Sequence, residues 1–136
     1  MEKHQVEELK VLINRAGEKL VDSFYHQVLE HSAELANIFR NTDLAEQKKR
    51  MKEGLEEILS LQAKDAELHE YLQDLGFRHL GYEVEESHYA IIRAALLSSF
   101  QKYSNLSNSE IEIFVDSVLN PMQEGTQQLV KVASNG

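Results

Sequence analysis

The chain contains no cysteine. That removes disulfides, thiolate metal sites and cysteine nucleophiles together, so any metal must be held by histidine or carboxylate. Proline occurs once and glycine six times, too little turn punctuation for an all-β chain, and long helices are the natural expectation. Clustered basic charge is scarce as well: 14 Lys and Arg stand against 23 Asp and Glu, for a net charge of −9. Binding to a phosphate backbone depends on clustered cations that release counterions, so no nucleic-acid partner is expected. The one concentrated basic run, Lys48-Lys49-Arg50, reads as a solvated helix face, with contact to the acid groups of a bound ligand as the less favoured alternative. Long apolar runs are missing too. The start, Met1 to Glu8, carries acidic residues where a secretion signal needs an unbroken apolar stretch, and no later run approaches membrane-spanning length. No membrane association is expected, and the chain is expected in the cytoplasm.

What is present is the composition of one globular unit. With 42% hydrophobic and 27% charged residues in 136, a single domain over residues 1–136 is expected. Val6, Leu9, Leu12 and Ile13 recur at helical spacing, and Gly17 offers a pause before Val21, Phe24, Tyr25, Val28 and Leu29 resume it to about residue 31. A short helical piece through Leu35, Ile38 and Phe39 follows. Asp43 with Glu46 three residues on is a helix-start signal, and the stripe Leu44, Gln47, Met51, Leu55, Ile58 runs to about Gln62. Leu68, Leu72, Leu75 and His79 then share one helical face, stopped by Gly81. Glu85-Glu86-Ser87 opens a helix to about Tyr103 that carries Tyr89, Ile92, Leu96 and Phe100 inward. Ser107 and Glu110 form a second start signal for a last helix to about residue 132, bent at Pro121 and fraying over its final four residues.

Three polar side chains fall on inward faces of different helices: Tyr25, Gln47 and His79. Each alone is more often structural, since a buried His commonly satisfies a carbonyl, a Tyr reaches its hydroxyl to the surface, and a Gln sits in water at a helix end. Together they call for one apolar cavity whose ligand wants a nitrogen donor on one side and hydrogen-bond donors on the other. Iron in haem is such a ligand.

These residues resemble a family pattern. Phe24-Tyr25 followed by Phe39, then Gln47 and Met51 one turn apart, then Leu72 to His79, Val84 and Ser87-His88-Tyr89 resemble a bacterial single-domain globin related to the globin domain of flavohaemoglobins. The resemblance spans nearly the whole chain, and the 32-residue step from Gln47 to His79 agrees with it. It implies an all-α globin fold, a three-over-three helical sandwich around haem b (iron protoporphyrin IX). It implies His79 as the iron ligand, Tyr25 and Gln47 as distal hydrogen-bond donors, and Phe39, Met51, Leu55, Leu75, Val84, Tyr89 and Ile92 as cofactor contacts.

There are departures. Ala33 stands where relatives usually carry proline, and Pro121 interrupts a helix that is normally continuous. Relatives that run NO dioxygenation present a glutamate from the last helix towards the tyrosine matching Tyr89; the matching stretch here is Gln127-Gln128-Leu129-Val130. The function implied is therefore reversible binding of a diatomic gas, O2 first and NO or CO besides. NO dioxygenation would be a side activity needing a separate reductase, because the sequence carries no flavin- or nicotinamide-binding segment. The alternative is a haem-based gas sensor that signals to a partner. A haem-free globin-like module is disfavoured, having no need of His79 on an apolar face.

Overall fold

The apolar stripe that begins at Val6 continues through α1 (Lys3–His31), one helix where the spacing suggests two. The interruption falls at Ala16, whose φ of −131° and ψ of 15° leave the helical region, and not at its neighbour Gly17. Gly17 meets a packing need instead: a Cβ there would stand 3.0 Å from Cε of Lys52, so its bareness admits the lysine stem. This computed structural model describes residues 1–81 and 86–135, with the side chains of 1–76 and 87–125.

Ser32 ends α1 and caps α2 (Ala33–Ile38), its hydroxyl accepting the Leu35 N–H at 3.1 Å. α3 (Leu44–Ser60) starts where expected, with the Glu46 N–H donating to Asp43 Oδ1 at 3.2 Å. α4 (Asp65–Gly81) carries the segment that includes His79. A 3-10 turn (Glu86–His88) leads into α5 (Tyr89–Tyr103), and α6 (Asn108–Asn135) closes the chain. At the head of α6 the capping is reciprocal: the Glu110 N–H donates to Ser107 Oγ at 3.2 Å and the Ser107 N–H to Glu110 Oε1 at 3.1 Å. α6 runs through Pro121 and stays helical to Asn135, beyond the point where fraying is expected. No strand occurs among the described residues.

Packing joins these helices in a circuit. α3 lies on α1, α1 on α5, α5 on α6, and α6 on α4. Leu9, Ile13, Leu20, Leu35, Phe100, Ile111 and Phe114 are sealed inside it, with the Phe100 and Phe114 rings edge to face at 5.5 Å. Among the described residues the circuit does not close, because α3 and α4 make no extensive contact with each other. A hydroxyl pair ties α1 to α5: Ser99, fully buried on α5, donates to Ser23 Oγ of α1 at 3.2 Å, and Gln27 donates to both.

The tightest approach is between α4 and α6. A Cβ on Gly76 would sit 2.1 Å from the Met122 carbonyl oxygen, and one on Gly125 would sit 2.3 Å from the Gln73 carbonyl oxygen. Each glycine thus admits the backbone of the facing helix, and neither can carry a side chain without parting the two.

Gly76→Ala and Gly125→Ala should therefore each destabilise the fold by roughly 1–3 kcal/mol, the usual cost of overpacking. Gly54→Ala on α3, where a Cβ would meet only the Tyr71 hydroxyl at 3.9 Å, should stabilise by up to about 1 kcal/mol through helix propensity. Denaturant unfolding of the three variants checks the contrast, and equal effects would refute the backbone-contact account.

Candidate functional site

Because α3 and α4 stand apart, a cavity of about 690 Å³ lies between them. That size is within the ~300–1,000 Å³ of small-molecule and cofactor sites. All six helices contribute to its wall. α1 supplies Phe24, Tyr25 and Val28; α2 and the turn after it supply Leu35, Ile38, Phe39 and Thr42; α3 supplies Gln47, Arg50, Met51, Glu53, Gly54, Leu55 and Ile58. Across from these are Tyr71 and Leu75 of α4, Tyr89, Ile92 and Leu96 of α5, and Val118, Leu119 and Met122 of α6. The lining is largely aliphatic and aromatic, with few polar groups.

Helical register explains who is there. On α4, Leu72 is buried away from the cavity while Tyr71 and Leu75, one turn apart, face it. His79 lies one turn beyond Leu75 on the same helix; its side chain is outside the described residues, and Val84 is outside them altogether. On α3 the polar misfit in the apolar stripe resolves itself, since Gln47 faces the cavity between Leu44 and Met51. Tyr25, Phe39, Gln47, Met51, Leu55, Leu75, Tyr89 and Ile92, singled out from the sequence, thus share one cavity.

Tyr25 is held by its neighbours on both sides. Its ring meets Phe24 edge to face at 5.2 Å and Phe39 at 5.6 Å, leaving the residue 7% exposed. The hydroxyl has no hydrogen-bond partner among the described residues and is not sealed from the cavity space. Burial pushes its pKa from 10.0 up to about 12, because the phenolate would lose its hydration. The phenol is accordingly a neutral donor across the physiological range. The Gln47 side-chain amide likewise has no partner among the described residues; only its backbone N–H is used, donating to the Asp43 carbonyl at 3.1 Å.

Some wall residues were not singled out in advance. Arg50 belongs to the basic run read as a solvated face; it does stand exposed, 3.5 Å from Glu46, yet it also lines the cavity. Lys48 pairs with Asp22 at 3.2 Å. Tyr71 was legible as the residue one turn before Leu75, and Thr42, Glu53 and Leu119 carried no signal of their own. A second, more open cavity of about 470 Å³ shares Tyr89 and Leu119 with the first and is bordered by Arg93 and Asp116, whose two-pronged bond measures 2.7 and 3.1 Å.

A model of the Protoglobin family matches residues 1–119, which takes in α1 to α5, the cavity wall on α3 and α4, and α6 as far as Leu119. No curated protein matches the chain.

The raised Tyr25 pKa has a stability consequence. The folded value lies above that of the unfolded chain, so the contribution is whole below about pH 10 and is lost as pH rises towards about 12. Relative to Tyr25→Phe, the wild type should lose about 2 kcal/mol across that window, and absorbance titration should show one fewer late-ionising phenol in the variant. Identical alkaline stability of the two proteins would contradict the burial argument.

Proposed function

Since the chain belongs to the protoglobin family, we propose that it is a haem-binding globin that reversibly holds a diatomic gas in the cavity between α3 and α4. O2 is the leading ligand, with NO and CO besides. The observation that carries this reading is an apolar cavity of cofactor size into which two hydrogen-bond donors, Tyr25 and Gln47, open without partners among the described residues. A guest with an acceptor atom at the same place would take up those bonds, each worth about 0.5–1.5 kcal/mol net.

Membership of a globin family implies haem, and haem b is the form proposed here. The described residues fit it: Phe39, Met51, Leu55, Leu75, Tyr89 and Ile92 offer apolar surface, and Arg50 at the wall suits the acid groups of a tetrapyrrole. Val84 is proposed to join them. His79, following Tyr71 and Leu75 at one-turn intervals on α4, is proposed as the protein ligand. When bound, haem would supply an iron able to take an imidazole nitrogen and a diatomic gas as ligands. The chain does the rest. Burial keeps Tyr25 protonated and able to donate, and Phe24 and Phe39 fix the direction of its ring.

The closer relation to flavohaemoglobin globin domains rests on Phe24-Tyr25, Phe39, Gln47, Met51 and the segment from Leu72 to His79. On this reading residues 1–136 form one globin domain working in the cytoplasm, and NO consumption would draw electrons from a separate reductase. Among the described residues no helix is long and apolar enough to cross a membrane. One observation favours the sensor alternative: α6 walls the cavity through Val118, Leu119 and Met122 and then runs on to Asn135, so a change at the cavity has a continuous helix along which to reach a partner.

A Soret band should appear when haem is added to the purified chain and be lost in His79→Ala; no band in the wild type would overturn the reading. With haem bound, O2 would be the better hydrogen-bond acceptor of the two gases and CO the poorer one. Tyr25→Phe should therefore speed O2 release roughly ten- to a hundred-fold while leaving CO release little changed. Gln47→Leu should add less than proportionally, two donors sharing one acceptor. Parallel changes for both gases would make these residues packing alone.

A further inference from the structure

Among the described histidines only His88 is buried, and its partner comes from a distant element. It ends the 3-10 turn, is 3% exposed, and its Nε2 donates to Glu34 Oε2 of α2 at 2.8 Å. An ionised carboxylate can only accept, so the shared proton sits on Nε2. Glu34 itself reaches in from the surface, its side chain 78% exposed.

α2 needs such an anchor. Six residues fall well short of the ~12–15 at which a helix is even marginally stable alone, so α2 persists through what holds it: the Ser32 cap, the buried Leu35, and the bond to His88. It leads directly to Phe39, whose ring meets Tyr25 at 5.6 Å. On the other end of the bond, His88 is followed at once by Tyr89, a buried wall residue of the cavity. The bond thus joins the segment that places Phe39 to the one that places Tyr89, across 54 positions of sequence.

We propose that His88 is a positioning residue, which through Glu34 ties α2 to the head of α5 so that the Phe39 and Tyr89 walls are held as one unit and together govern escape of a guest. This rests on the globin reading only for the identity of that guest.

Glu34→Ala removes the tie without hollowing the core, because the glutamate is at the surface. Hydrogen exchange on the full chain should then quicken about ten-fold in residues 33–39 and 88–91 together, the scale of one lost charge-assisted bond, with the other helices unchanged. Glu34→Gln keeps an acceptor oxygen and should restore most of the protection. In the haem-loaded protein, CO escape should quicken in Glu34→Ala and recover in Glu34→Gln. Unchanged exchange, acceleration spread over all helices, or quickened exchange with CO escape unaltered would each overturn the proposal. The exchange measurement needs no haem, so it tests the tie even where a missing Soret band has sunk the globin reading.

Discussion

The separation of α3 from α4 is set by what α4 does on its other side. Gly76 and Gly125 let α4 and α6 meet backbone to backbone, with the Met122 and Gln73 carbonyls occupying the space where side chains would otherwise stand. α6 is in turn held by α5, α5 by α1, and α1 by α3. Drawn hard against α6, α4 presents Tyr71 and Leu75 to a gap that α3 lines from the opposite side with Gln47, Met51 and Leu55. The cavity is the opening in a circuit of helices, and the glycine contact keeps α4 close against α6 on one side of it. Protein interiors transmit such constraints because they are close-packed and yield little.

Within that opening, the chain sets polar groups where packing alone would prefer methyls. The Tyr25 hydroxyl and the Gln47 side-chain amide have no hydrogen-bond partner among the described residues, and a large apolar space lies beside them. Binding that fills the space and takes up the donors adds RT ln(1 + [L]/Kd) to stability, so fold and ligand are thermodynamically coupled. The surface ion pairs, such as Arg50 with Glu46 or Lys64 with Glu67, contribute little by comparison, being exposed and screened.

Much of this was legible from periodicity. The stripes placed Leu9, Ile13, Val21, Val28, Ile58, Leu72 and Phe100 in the core, where they are, and the capping signals at Asp43 and Ser107 marked helix starts that the hydrogen bonds realise. The boundary at Gly17 was misplaced by one residue because a glycine can serve close approach as readily as a break; here Lys52 crosses it, and Ala16 carries the irregular backbone. Arg50 was ambiguous for a related reason. Its charge forecasts solvent, but a residue at a cavity rim satisfies both solvent and ligand.

Local order decided which residues could face inward: helix period, caps and the polar interruption at Gln47 depend on neighbours within a turn or two, and such interactions are written in adjacent letters. From them the all-helical architecture, and Tyr25 and Gln47 as inward polar groups, followed directly. Tertiary structure alone decided that Gly76 and Gly125 clamp α4 to α6, and that His88 reaches Glu34 across 54 positions. Those pairings carry no sequence period, because they depend on how whole helices cross, and the crossings are set by the sum of all the contacts between them.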